Sequence, residues 1–255
     1  MTKIVEKVEE RPFPGPRLRT SDAEVAESLS FWDHLEELRG CVLKSLAAVA
    51  IASVLFYPFI DRVLGFLVRP VGHLVFTAPA DAFVARMMLT LVGGTLCALP
   101  VVLYQVWSFV SVALNQEERK YVLLFGPLSL IMFFVGVLFA YAVAVPWALG
   151  FLMRYSSDIM VPMITVKNYI SFVSTLLFSF GVVFELPLVL MFLTKIGIAT
   201  PEFLIQKRRH AILLIFIVSA ILTPPDAITL FILAVPLIIL YEIGIWVSRW
   251  ARKPI

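Results

Sequence analysis

The stretch HAILLIFIVSAILTPPDAITLFILAVPLIILYEIGIWV, residues 210–247, consists of two apolar runs joined by a Pro-Pro turn. The second run, 228–247, has the roughly 20 residues that a helix needs to cross a hydrocarbon layer about 30 Å thick. The first run, 210–222, covers only about 20 Å as a helix. We therefore predict a hairpin of two short membrane helices, whose tip stops inside the membrane or lies where the bilayer thins.

Four more apolar runs precede this hairpin, and the six runs together predict an all-α membrane protein with six transmembrane helices. The chain is 60% hydrophobic and 15% charged, whereas a soluble domain carries about 25% charged residues. The predicted spans are 41–60, 83–110, 121–147, 169–193, 210–222 and 228–247. Five of the prolines inside them are expected to kink the helices, namely Pro100, Pro127, Pro146, Pro187 and Pro236.

The segments outside the spans predict how the chain is oriented. Residues 1–29 are predicted to be a mobile cytoplasmic tail, 30–248 the membrane domain and 249–255 a cytoplasmic C-terminal tail. An even number of spans places both termini on one side, and by the positive-inside rule that side is cytoplasmic. All but five of the 21 Lys and Arg fall on it; the exceptions are Arg62, Arg69, Arg86, Arg154 and Lys167.

Motifs for catalysis and for cofactor binding are missing from the sequence. It has no G-x-x-x-x-G-K-S/T phosphate loop and no H-E-x-x-H zinc motif. Its two cysteines both fall in apolar stretches, and no basic stripe interleaved with aromatic residues suggests nucleic acid. We therefore expect a non-enzymatic protein with no cofactor, no metal centre and no nucleic-acid partner.

The segment SFWDHLEELRG, residues 30–40, is amphipathic and leads into the first span. Asp33 suits the first turn of a helix, where the helix dipole favours a carboxylate. Glu36 has Arg39 three residues later, close enough for a local ion pair. Glu37 has no basic residue three or four positions later. Its carboxylate is therefore predicted to be available to a molecule outside the helix.

The loop NQEERKYV, residues 115–122, contains a second carboxylate of this kind. Glu117 has Lys120 three residues later, whereas Glu118 has no cation three or four positions later. For Glu37 or Glu118 taken alone, a solvated charge is the simpler interpretation. Their occurrence on the same predicted side of the membrane makes both candidates for binding a cationic partner.

Glu185, in FGVVFELPLVL at 180–190, lies about ten residues, or 15 Å, inside the fourth predicted span. A charge near the bilayer middle costs about 2.5–3.5 kcal/mol on insertion scales. Glu185 is therefore predicted to face protein, water or a partner, just before the kink expected at Pro187. Asp226, in the Pro-Pro turn, is a weaker candidate because it can equally cap the sixth helix.

Five blocks of the sequence match a known family in order and spacing: HLEELR (34–39), LYQVWSFVSVALNQEER (103–119), FAYAVAVPWALGF (139–151), SFGVVFELP (179–187) and LTPPD (222–226). They resemble TatC, the C subunit of the twin-arginine protein translocase, and the resemblance extends over residues 30–248. It implies a six-helix protein of the bacterial inner membrane, cupped like a glove, with cytoplasmic termini.

The resemblance also implies which residues form the functional sites. The family's signal-peptide site corresponds to Glu37 and Glu118, the two carboxylates that the ion-pair pattern distinguishes. Further matches are Arg39, Gln105 and Phe109 at functionally sensitive positions, Pro70 in the first periplasmic loop, and Glu185, Thr223 and Asp226 at intramembrane or partner-contact positions.

The implied activity is the export of folded proteins that carry twin-arginine signal peptides, driven by the proton-motive force. The implied partners are single-span subunits of the TatA and TatB types, in a multimeric complex surrounded by membrane lipid. An alternative from another class is a proton-coupled small-solute transporter with Glu185 as its proton site. No inverted repeat is visible in the sequence, which counts against that alternative.

Overall fold

The computed structural model describes residues 20–112, 114, 116–154, 163–222 and 227–251, without the side chains of 20–31, 33, 116–118, 120, 121, 123 and 251. The chain divides into two units, residues 1–40 and 41–255. Almost all of the described residues are helical. The helices are α1 (Thr20–Phe56), α2 (Ile60–Val68), α3 (Asp81–Val112), α4 (Gln116–Phe139), α5 (Val145–Met153), α6 (Val166–Val183), α7 (Leu186–Lys195), α8 (Pro201–Gln206), α9 (Arg208–Leu222) and α10 (Ala227–Ala251), with a 3-10 turn at Tyr57–Phe59 and a π-helical turn at Ala140–Ala144.

Five helical segments in the described residues are long and apolar enough to cross a membrane: His34–Val68, Asp81–Val112, Leu124–Met153, Val166–Lys195 and Ala227–Trp250. They correspond to five of the six predicted spans. The remaining predicted span, 210–222, corresponds to α9, whose 15 residues rise only about 22 Å. The short fifth helix is therefore confirmed, whereas the count of six spans stays a prediction.

The second helix of the hairpin is longer than predicted. α10 has 25 residues, which at 1.5 Å per residue extend about 37 Å. The prediction of a short sixth helix is wrong because it ended the helix with the apolar run at residue 247, whereas the helical backbone continues through Ser248 and Arg249. Arg249 lies in the last turn, where a basic side chain stabilises the negative end of the helix dipole. Any thinning of the bilayer must therefore come from α9 alone.

The five prolines have two different effects on the backbone. Three lie inside unbroken helices: Pro100 in α3, Pro127 in α4 and Pro236 in α10. Pro146 follows the π-helical turn, and Pro187 follows a two-residue interruption between α6 and α7. A proline has no N–H to donate and its ring displaces the carbonyl four residues earlier. At Pro146 and Pro187 the backbone hydrogen bonding changes accordingly.

The connection between α2 and α3 is hydrogen-bonded to the start of α6. The Val75 N–H donates to the Ile164 carbonyl at 3.1 Å, and the Val75 carbonyl accepts from the Val166 N–H at 2.9 Å. The buried Tyr169 hydroxyl of α6 donates to the Leu67 carbonyl of α2 at 2.5 Å. These bonds fix α2 and the turn that follows it against α6.

Two apolar clusters lie between the helices. In the larger one, whose buried residues come from α2, α3 and α5 to α10, Phe180 and Leu233 are inaccessible to solvent. The smaller one joins α3, α4 and α7 through three rings with centroids 5.0–5.6 Å apart, Trp107, Phe125 and Phe192. Many large apolar side chains elsewhere are exposed, as expected for helix faces that contact lipid.

Helices α4 and α6 cross so closely that the crossing requires glycine on each side. A Cβ atom at Gly136 would lie 2.4 Å from the Phe180 carbonyl oxygen, and one at Gly181 would lie 2.5 Å from the Phe133 ring. Small residues allow membrane helices to approach in this way. The crossing therefore sets the distance between α4 and α6.

Replacing Gly136 with alanine is expected to lower the free energy of unfolding by about 1–3 kcal/mol, because the added methyl group overpacks against a backbone carbonyl. Thermal unfolding of the purified protein in detergent measures this change. Gly150→Ala is the matched control, since nothing lies within 4 Å of a Cβ at Gly150, and alanine favours the helix. Equal melting temperatures for Gly136→Ala and the unmodified protein would contradict the close crossing.

Candidate functional site

The candidate residues of α1 differ in exposure and not in ion pairing. Glu37 is half-buried, whereas Glu36 and Arg39 are exposed. Glu36 and Arg39 do not come within 4.0 Å of each other as an ion pair. The ion pairs among the described residues join other side chains. The predicted local pair is therefore wrong, because exposed side chains gain little from pairing in water. Partial burial is what distinguishes Glu37 from Glu36.

A second group of candidates lies where α3 ends and α4 begins. Gln105 and Phe109 are one turn apart on α3, and both are half-buried. Glu118 is the third residue of α4, and its side chain lies outside the described residues. The two helices pack around Trp107 and Phe125, whose rings stack with centroids 5.6 Å apart. Gln105, Phe109 and the backbone of Glu118 are thus brought to neighbouring ends of two packed helices.

Glu185 lies in the interruption between α6 and α7 and contacts α4. Its Oε2 accepts a hydrogen bond from the Ser129 hydroxyl, with Oγ and Oε2 2.5 Å apart. Its Oε1 is buried and has no hydrogen-bond partner among the described residues. A buried polar group without a partner costs about 1–3 kcal/mol. One oxygen of this carboxylate is therefore left unsatisfied in the isolated chain.

The position of Ser129 gives the distance along α4 between Glu118 and the residue that contacts Glu185. Ser129 follows Glu118 by three turns of the continuous helix α4, a rise of about 16 Å. Half of the hydrocarbon layer is about 15 Å, so this distance is compatible with a position of Glu185 near the middle of the layer, which stays a prediction. The backbone of Glu118 and the contact between Ser129 and Glu185 are well separated along α4.

Comparison of the sequence and the fold with known proteins identifies the family of this chain. A family model described as Sec-independent protein translocase protein (TatC) matches residues 33–236. The chain belongs to the TatC family. The TatC proteins of Carboxydothermus hydrogenoformans and Desulforapulum autotrophicum are 39% and 38% identical to it, over 88% of this chain in both cases and 94% and 85% of theirs. A crystal structure of the twin-arginine translocase receptor TatC matches with a TM-score of 0.78 and 35% identity, covering 86% of this chain and 99% of that one.

The candidate residues all fall within the segment that matches TatC. The structure describes the side chains of Glu37, Arg39, Pro70, Gln105, Phe109 and Glu185. Thr223, Asp226 and the Glu118 side chain lie outside the described residues. The roles that the TatC resemblance implies stay predictions for all of these positions, described or not.

Pro70 is exposed in the turn that follows α2. The Gly72 N–H donates to the Val68 carbonyl at 3.0 Å, and Gly72 has a φ of 81°, in the left-handed region that glycine adopts at no steric cost. Pro70 has no N–H and cannot continue the helix. This position in a TatC protein therefore favours a structural role, ending α2 before the turn.

Two contacts of this TatC chain are missed by the sequence analysis. Ser129, the partner of Glu185, is a hydroxyl inside the third apolar run, and that isolated polarity is the signal that could have drawn attention to it. Arg208 pairs with Glu242 at 2.8 Å, which links the start of α9 to α10. Both side chains are more than 40% exposed, so this pair contributes little to stability.

Proposed function

We propose that this chain is the receptor subunit of a twin-arginine translocase, which binds twin-arginine signal peptides and takes part in the export of folded proteins. The observation that carries the proposal is the match to the TatC family over residues 33–236. A translocase family also favours this function over a small-solute transporter that uses Glu185 as its proton site.

In this proposal Glu37 and Glu118 each bind one arginine of the signal peptide. A guanidinium group is planar and donates two parallel hydrogen bonds to a carboxylate, whereas the lysine ammonium group lacks that geometry. Partial burial of Glu37 supports its role, because a partly desolvated carboxylate gains more from a cationic partner than an exposed one. Arg39, Gln105 and Phe109 are proposed to assist this binding.

The proposal also covers orientation and partners. Both termini face the cytoplasm of the bacterial inner membrane, which the distribution of Lys and Arg supports. The chain has six spans arranged as a cupped glove and assembles with TatA- and TatB-type subunits into a multimeric complex that uses the proton-motive force. Glu185, Thr223 and Asp226 contact partner helices or the hydrophobic part of the signal peptide. The unsatisfied Oε1 of Glu185 supports a role for this residue beyond packing of the isolated chain.

The purified protein is expected to bind a peptide with two consecutive arginines about tenfold or more tightly than the same peptide with two lysines. Loss of a bidentate, charge-assisted hydrogen bond costs about 1.5 kcal/mol or more, and 1.4 kcal/mol is tenfold in affinity. Fluorescence anisotropy with the labelled peptides in detergent measures both dissociation constants. Equal affinity for the two peptides would contradict guanidinium recognition, and a peptide with two glutamines sets the background.

A further inference from the structure

A groove of about 700 Å³ lies between the α4–α5 segment and α10. We call it the α5–α10 groove. Trp147 and Gly150 line one wall, and Phe231 and Val235 line the other. Every residue that lines it in the described part of the chain is apolar except Arg154. Its volume falls within the range of about 300–1,000 Å³ that is typical of small-molecule sites.

The groove has the length of one membrane leaflet. Its α4–α5 wall extends from Phe139 to Arg154, a helical rise of about 22 Å. One leaflet, including its polar headgroup region, is about 20–22 Å thick. Arg154 directly follows the candidate span Leu124–Met153, so this side chain lies where the span leaves the hydrocarbon. The groove therefore extends from the membrane surface to about the middle of the bilayer.

Arg154 gives the groove a positive charge at one end only. The side chain is exposed and forms no ion pair with any residue that the structure describes. An arginine at the membrane surface binds phosphate oxygens bidentately. Basic residues beside grooves between membrane helices bind anionic lipid headgroups in this way. The groove thus combines a phosphate-binding end with an apolar trough one leaflet deep.

We propose that the α5–α10 groove binds an anionic phospholipid, with an acyl chain against the apolar walls and the phosphate group on Arg154. No acidic residue lines the groove in the described part of the chain. A headgroup with a net negative charge complements the Arg154 guanidinium group, whereas a zwitterionic headgroup brings a cation of its own. This site is independent of the signal-peptide residues and of the function proposed above.

A transmembrane helix of a partner fits the groove less well than a lipid chain does. A helix is a straight cylinder about 10–12 Å across with its side chains. An acyl chain is narrower and can follow a wall that the π-helical turn and Pro146 make irregular. The dimensions of the groove therefore favour the lipid.

Native mass spectrometry of the purified full-length protein tests the proposal. The protein is titrated with phosphatidylglycerol and, separately, with phosphatidylcholine of the same acyl chains. Arg154→Gln is expected to weaken the first phosphatidylglycerol-binding step about tenfold, since it removes a charge-assisted hydrogen bond, and to weaken phosphatidylcholine less, because the choline cation already opposes the charge of Arg154. Gly150→Leu is expected to weaken both lipids, because a Cβ at Gly150 has open space around it and the leucine side chain fills the groove.

Matched controls come from α2, which does not line the groove. Arg62 is exposed, and a Cβ at Gly65 has nothing within 4 Å. Arg62→Gln and Gly65→Leu should bind both lipids as the unmodified protein does. Thermal unfolding confirms that each variant is folded before lipid is added.

Three results would overturn the proposal. Unchanged phosphatidylglycerol binding in both groove variants would show that the groove holds no lipid. Weakened binding in Gly150→Leu with unchanged binding in Arg154→Gln would show that the headgroup is not recognised. A photocrosslinker at Trp147 that captures a partner helix and no lipid in native membranes would assign the groove to a protein instead.

Discussion

Alanine at Glu37 or at Glu118 is expected to abolish capture of a twin-arginine peptide, while the protein still inserts into the membrane. Each substitution removes the acceptor of a charge-assisted hydrogen bond to an arginine. Truncating one partner of such a pair costs about 2–5 kcal/mol, which weakens binding about 30-fold or more. Titration of the purified variants with the labelled twin-arginine peptide measures the loss.

The neighbouring glutamates provide matched controls for these two substitutions. Glu36→Ala removes the same charge from an exposed position one residue away from Glu37, and Glu117→Ala removes the same charge one residue before Glu118. Both controls should retain at least most of the affinity. Unchanged capture in Glu37→Ala and Glu118→Ala would refute the assignment. An equal loss in Glu36→Ala would show that the net charge of the segment attracts the peptide and that no single carboxylate binds it.

The length of an apolar run predicts where a membrane helix lies better than where it ends. The runs at 83–110 and 210–222 correspond closely to α3 and α9. For α10 the run stops at residue 247, but the helix continues to Ala251. Hydropathy reports which residues tolerate lipid, whereas a helix end depends on backbone hydrogen bonds and on residues such as Arg249. The ends of helices at the membrane surface are therefore predicted poorly.

At the candidate site, too, the sequence predicts one feature and misses another: it indicates Glu185 but not the residue that Glu185 contacts. A charge within an apolar run is costly, and this identifies Glu185 from the sequence. Pro187 predicts the interruption of the helix beside it. Its partner Ser129 is 56 residues away in sequence, and no local pattern indicates which helix it meets. That contact depends on the crossing of α4 and α6, where Gly136 approaches the Phe180 carbonyl. A contact between two helices can be predicted only when the packing of those helices is known. The periodicity of one sequence does not specify that packing.

Local spacing also overstates ion pairing. The separation of Glu36 and Arg39 allows a pair on a helix, but the two side chains remain apart. Arg208 and Glu242, 34 residues apart, do form a pair. An exposed pair is worth about 0–1 kcal/mol, so spacing alone cannot decide which of several partners an arginine takes. Glu37 differs from Glu36 in being partly buried.

Replacing Glu185 with leucine is expected to abolish export of a folded twin-arginine reporter without destabilising the protein. The carboxylate is held by one hydrogen bond, from Ser129, and its Oε1 has no partner among the described residues. A buried carboxylate oxygen without a partner costs about 1–3 kcal/mol, and an apolar side chain of similar size removes that cost. The freed Ser129 hydroxyl can bond to the carbonyl one turn earlier in its own helix. Export in cells that lack their own TatC and thermal unfolding in detergent measure the two effects.

The stability measurement is what separates a functional glutamate from a structural one. A glutamate retained for packing would lower the melting temperature when replaced by leucine, and export would fall only as far as the amount of folded protein does. A glutamate retained for a partner helix or a signal peptide costs stability in the isolated chain, so its removal leaves the melting temperature unchanged or higher. Ser129→Ala is the complementary variant, because it leaves both carboxylate oxygens without a described donor and should destabilise the protein by about 1–3 kcal/mol. If Glu185→Leu instead exported the reporter normally, Glu185 would not be a functional contact, whatever its stability.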